Sequence, residues 1–118
     1  GFWQACNDNI LDIAMPDVTI VGGICELKKV AAMAEARGIR TAPHGPFGPV
    51  TTASSVHAMA AHPAFAILEY AWGEVPWRPT LTLPNEKISN GRITLPQTPG
   101  LGIELDEKIV AAHRIAIT

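Results

Sequence analysis

Cysteine is scarce: only Cys6 and Cys25 occur in 118 residues, and they form no paired metal-ligand spacing. One bridge between them is conceivable, but their aliphatic, mixed surroundings read both as reduced packing residues. Charge of one sign is missing as well. Nine Lys and Arg stand against eleven Asp and Glu, a net charge of -2, and no basic stripe is available to recruit nucleic acid or acidic lipid. Long hydrophobic runs are also lacking, since Pro, Asp or Gly breaks each one well before the roughly 18 residues of a membrane span. The start, "GFWQACNDN", has no basic stretch leading into an apolar core. These absences lead to the expectation of a cytoplasmic protein with no nucleic-acid or membrane partner. Repeats and low-complexity segments are absent too.

What is present alternates. Phe2 to Asn9 reads as a helix end running into a turn, and Ile10 to Met15, closed by Pro16, as a strand buried on both faces. In "ICELKKVAAMAEARG", Leu27, Val30, Ala31 and Ala34 recur at helical spacing and Gly38 supplies the stop. Ile39 to Ala42 is a second strand. "VTTASSVHAMAAH" is an Ala-rich helix with Val50, Ala53, Ser54, His57, Ala58 and Ala61 on one face, small enough for close packing, and Pro63 ends it. Phe65 to Tyr70 is a third strand. The order predicts an α/β fold with parallel strands and right-handed crossovers. Beyond Tyr70, "WGEVPWRPTLTLPNE" is loop-like, "KISNGRITLP" signals a hairpin turning at Asn90-Gly91, and a Pro/Gly stretch precedes a short helix capped by Asp106. The division expected is 1-78 and 79-118.

Asp17, His44 and Glu69 fall at the carboxyl ends of the three strands, the end where reacting groups collect in parallel α/β folds. Asp17 and His44 are one strand-helix unit apart and so belong on adjacent strands, where a carboxylate orients an imidazole and stabilises its protonated form. Glu69, one unit further on, faces the same cavity. "TAPHGPFGP" after the second strand stiffens the loop behind His44 and allows close backbone approach to a ligand. Other readings stay open singly: Asp17 as a turn cap, His44 as a solvated loop residue, Glu69 as an ion-pair partner of Arg78. Trp72 and Trp77 either line a substrate pocket or anchor the loop. His57, His62 and His113 read as packing or exposed residues. Gly22-Gly23 in "VGGICE" lacks the G-x-G-x-x-G spacing and reads as a tight turn.

"DIAMPDVTIVGGICELKKVAAMAEARGI", "APHGPFGPV", "ILEYAWGEVPWR" and "NGRITLPQTPGLGIELDE" together resemble the C-terminal part of the mandelate racemase/muconate lactonizing enzyme branch of the enolase superfamily. The likeness runs from about Leu11 to Arg114 and is greatest to galactonate dehydratase-like sugar-acid dehydratases. The resemblance implies the C-terminal part of a (β/α)7β TIM-type barrel, parallel strands six to eight, plus a hairpin and helix that pack on a capping domain. It implies a His-Asp dyad of His44 and Asp17, with Glu69 bonding an enolic intermediate and Pro46 and Trp72 as substrate-contacting residues. It implies a sugar-acid substrate that loses the proton next to its carboxylate and then its β-hydroxyl, His44 acting as the acid. Mg2+ is the implied cofactor, with no metal ligand in this chain; its ligands are expected in a missing N-terminal part. A complete barrel takes about 250 residues, so the chain, which does not begin with Met, is expected to be a piece that is inactive alone. Its unpaired strand edges call for the rest of the barrel or for self-association into a homo-oligomer. The alternatives are a racemase or cycloisomerase of the same superfamily, or a non-catalytic truncated oligomerising domain.

Overall fold

The computed structural model describes residues 1-115. Its first half alternates helix and strand: α1 (Phe2–Asn7), β1 (Ile13–Ala14), α2 (Ile24–Glu35), β2 (Arg40–Thr41) and α3 (Pro49–Met59). The helical spacing in α2 holds, because Leu27, Val30, Ala31 and Ala34 are its buried residues. Gly38, at φ +71°, lets the Ile39 N–H return to the Ala34 carbonyl at 3.0 Å and stops the helix. Leu27 and Ala31 pack with Val18, Ala58 and Met59, and Ala34 packs with Cys6, Ala14 and Ile39. Cys6 is therefore a packing residue. Cys25 is not, since it is exposed at the start of α2; both thiols are free.

β1 and β2 pair in parallel, Ile13 with Arg40 and Ala14 with Thr41. The same register continues past the named strands to an isolated pair between Asp17 and His44. The Ala42 N–H donates to Ala14 O at 2.9 Å and the His44 N–H to Pro16 O at 3.1 Å. Burial of β1 on both faces does not hold. Ala14 and Pro16 are buried, whereas Ile13 and Met15 are 46% and 51% exposed, because the described helices cover one side of the sheet only.

Residues 65-70 do not form the expected regular strand. Thr41 bridges Phe65 in parallel, donating to Ala64 O at 3.0 Å and accepting from the Ala66 N–H at 2.8 Å. Pro43 then has no N–H to give, so the ladder loses a rung and resumes where the Glu69 N–H meets Pro43 O at 3.3 Å. The segment still alternates exposed and half-buried side chains from Phe65 to Tyr70. It is extended and parallel but irregular.

The predicted face of α3 is rotated. Ala53 and Ala58 are buried as expected, but so are Thr51, Thr52, Ser55 and Met59, while Val50 and Ala61 are exposed and Ser54 and His57 half-buried. Small residues on every side give the helix little apolar bias, and a polar contact turns Thr52 inward: its hydroxyl accepts from Arg78 at 3.0 Å.

The second half adds β3 (Thr82–Leu83), β4 (Ile88–Ser89), β5 (Arg92–Ile93), β6 (Glu104–Leu105) and α4 (Glu107–Ala112). The β4-β5 hairpin turns at Asn90 (φ 51°) and Gly91 (φ 69°) as expected. Asp106 caps α4 by accepting from the Lys108 N–H at 2.9 Å. The antiparallel pairing of β3 with β6 was not expected from the sequence. The tail is fastened back by His57 Nε2 on the Leu101 carbonyl (3.0 Å) and by Trp77 stacked on His113 at 4.3 Å, packing roles of the kind expected for these histidines. Among the described residues no helix is long and apolar enough to cross a membrane.

Candidate active site

The parallel register that pairs Asp17 with His44 also sets them side by side on one face of the sheet, because paired residues of neighbouring strands point the same way. Asp17 is 4% exposed. Its Oδ1 accepts from the Thr19 N–H at 2.8 Å and the Thr19 hydroxyl at 2.6 Å, and its Oδ2 lies 2.7 Å from His44 Nδ1. The turn-cap reading and the dyad reading of Asp17 are therefore both satisfied, one oxygen each. A carboxylate only accepts, so the contact assigns the imidazole proton to Nδ1 and leaves Nε2 free to take up or deliver a proton.

Burial pushes the Asp17 carboxyl up, but hydrogen bonds from Thr19 and His44 outweigh it and hold the group below its ordinary value. A lowered folded value means that the unfolded chain binds more protons on acidification. Asp17 thus contributes stability that is complete above the ordinary carboxylate range and is lost as pH falls from about 4 through the lowered value. Urea midpoints measured between about pH 6 and about pH 2.5 are expected to fall more steeply for the wild type than for Asp17→Asn; equal slopes would contradict this.

Glu69 arrives from the extended third segment. Its Oε2 accepts from the Gly45 N–H at 3.0 Å and lies 3.7 Å from His44 Nε2, too far for a direct hydrogen bond. The alternative pairing of Glu69 with Arg78 does not form, because Arg78 is engaged by Glu86 at 3.1 Å. Gly45 makes the approach possible: a Cβ there would stand 2.5 Å from the Glu69 carbonyl oxygen. Gly45→Ala is expected to push Glu69 away from His44 and to cost about 1–3 kcal/mol in thermal unfolding. An unchanged melting temperature would show that the contact relaxes freely.

Asp17, His44 and Glu69 are thus brought together. Pro46 sits half-buried in the loop that follows His44. Trp72 is elsewhere. It is 78% exposed, packs against Tyr70 at 6.1 Å and lines an apolar groove of about 840 Å³ with Met59, Phe65, Ile67, Ile88 and Leu95. None of the three site residues lines that groove. Thr19 was missed from the sequence, although a hydroxyl two residues after Asp is a turn signal that could have flagged it; the close backbone approach expected after His44 occurs at Gly45, toward the Glu69 carbonyl. Among the described residues no group of three or more His, Cys, Asp or Glu side chains could hold a metal ion.

A family described as enolase C-terminal domain-like matches residues 1-109. The chain is 36% identical over 105 residues to a D-xylonate dehydratase of Haloferax volcanii, covering 89% of this chain and 26% of that protein. It is 32% identical over 123 residues to a D-galactarolactone cycloisomerase of Agrobacterium fabrum, covering 98% and 32%. The crystal structure of a mandelate racemase/muconate lactonizing enzyme-like protein from Rubrobacter xylanophilus superposes with a TM-score of 0.90 at 35% identity, over 98% of this chain and 30% of that one. The chain therefore spans only about a quarter to a third of the length of these relatives.

Proposed function

The chain belongs to the enolase C-terminal domain-like family, and from that premise we propose that it carries the acid-base end of a sugar-acid dehydratase whose remaining barrel lies in a longer protein. In this reading residues 1-78 are strands six to eight of a (β/α)7β barrel and residues 79-118 are the tail. The observation that carries the reading is the 2.7 Å contact of His44 Nδ1 with the buried Asp17 carboxylate at the carboxyl end of parallel strands.

The chemistry assigned to this chain is one of proton custody. Asp17 holds Nδ1–H and balances the charge of the imidazolium, so that Nε2 carries a transferable proton. With a sugar acid bound, Nε2–H protonates the β-hydroxyl as its C–O bond breaks, water departs, and the neutral imidazole remains. Glu69, held by the Gly45 N–H, contacts the enolic intermediate. The proton next to the carboxylate is taken by a base outside this chain. Mg2+ and its ligands also belong to the remainder of the longer protein, and the roles of Asp17, His44 and Glu69 require no contact with it. The exposed Ile13 and Met15 support this arrangement, because a bare apolar sheet face calls for cover by further strands.

The test is turnover of a panel of aldonates by the full-length protein, with the 2-keto-3-deoxy acid detected as its semicarbazone. Dehydration by the full-length protein and none by the 118-residue chain alone is expected. Isomerisation without loss of water would favour the cycloisomerase reading that the Agrobacterium fabrum relative supports, and no reaction with any sugar acid would overturn both.

A further inference from the structure

Arg78 is 4% exposed, and every nitrogen of its guanidinium is engaged. Nη1 donates to the Phe47 carbonyl at 2.6 Å, Nη2 to the Thr52 hydroxyl at 3.0 Å, and Nε to Glu86 Oε2 at 3.1 Å and to the Tyr70 hydroxyl at 3.3 Å. The Tyr70 hydroxyl in turn donates to Glu86 Oε2 at 2.6 Å, and the guanidinium carbon stands 4.4 Å from the centre of the Tyr70 ring. Glu86, itself buried, neutralises the charge. That ion pair would be complete without Phe47 or Tyr70.

The two extra attachments are the informative ones. Phe47 is three residues after His44, with Pro46 fixing φ between them, and its ring meets the His44 imidazole edge-on at 6.3 Å. Tyr70 directly follows Glu69. One planar fork therefore pins the backbone behind His44 and the side chain beside Glu69 at the same time. We propose that Arg78 is a positioning residue that sets the geometry of His44 and Glu69 relative to each other. The inference rests on reading His44 as the proton carrier, but its geometric content is testable apart from that reading. Lysine cannot replace Arg78, because an ammonium is a point charge and cannot span three separate segments.

The experiment uses the full-length protein labelled with 15N-histidine, as wild type, Arg78→Lys and Thr52→Val. His44 faces Asp17, Glu69 and the Phe47 ring, so displacement of its loop alters its ring 15N shifts. Arg78→Lys is expected to move the His44 ring 15N signals, leaving those of His57 and His62 where they were. It is also expected to lower kcat about 10- to 100-fold with KM within about threefold. Thr52→Val, which removes a single bond, moves the His44 signals in the same direction by less, and it decides the matter should Arg78→Lys fail to fold. Unchanged His44 shifts in folded Thr52→Val and Arg78→Lys, with only the melting temperature lowered, would overturn the proposal and leave Arg78 a purely structural residue. A wild type that turns over no sugar acid would sink the functional reading instead, and the His44 signals would still decide this one.

Discussion

On the dehydratase reading proposed above, replacing His44 by asparagine in the full-length protein is expected to lower sugar-acid turnover by about 10³-fold while the melting temperature stays within about 2 °C of the wild type. The two halves of this expectation have separate causes. Among the described residues at the Asp17 end of the sheet, the imidazole is the group whose chemistry suits proton transfer near neutral pH, and a carboxamide neither gives nor takes a proton. Yet the Asn amide stands close to where Nδ1 stood and donates to the Asp17 carboxylate in its place. Asp17 then stays paired and no buried charge is stranded. The His44 side chain is 38% exposed, so its truncation opens little core. Steady-state kcat and a thermal melt on the same preparation check both halves. Retention of more than about a tenth of the wild-type kcat would remove His44 from the acid-base role.

Replacing Arg78 by methionine is expected to cost about 3–5 kcal/mol in urea unfolding. The side chain is of similar length and apolar, so the loss is one of charge pairing and hydrogen bonds. Glu86 would be left buried and unpaired, and its Oε1 already lacks a hydrogen-bond partner. Burial alone would lower the affinity of Arg78 for its proton, but Glu86 and Tyr70 more than offset that and hold it above its ordinary value. The Tyr70 phenol is likewise pushed up, by burial and by its bond to Glu86. Both shifts keep Arg78 charged and Tyr70 neutral through the neutral range. Adding Glu86→Gln is expected to return part of the loss, because it removes the stranded charge. A loss below about 1 kcal/mol for Arg78→Met would show that water reaches Glu86.

Features written in neighbouring residues could be read in advance. The α2 stripe, the Asn90-Gly91 turn and the Asp106 cap each depend on a few consecutive side chains, and each forms where expected. The Asp17-His44 contact was legible for a different reason, since parallel pairing carries a one-unit spacing directly into proximity. The irregular third segment was not, because it follows from Pro43 on the neighbouring strand and not from anything within residues 65-70. The orientation of α3 and the partner of Arg78 escaped for a related cause. Both are set by a polar network joining Phe47, Thr52, Tyr70, Arg78 and Glu86, and neither hydrophobic periodicity nor local charge spacing records contacts across 26 or 31 residues. β3 and β6 are two residues each and sit among prolines and glycines, too short to show alternation.

The buried Arg78-Glu86 pair also bears on how this chain can be cut and rejoined. A break anywhere between those two residues would hand the cation to one piece and its counter-charge to the other. Each piece would then have to bury a lone ion or expose what had been interior, so neither would keep its shape until the two met again. A break at Asn90-Gly91 severs only an exposed turn joining Ile88–Ser89 to Arg92–Ile93 and leaves the pair within one piece. For a circular permutant, or for a two-part reporter meant to reassemble on command, the hairpin tip is the place for new termini, and the stretch just after Arg78 is the place to avoid.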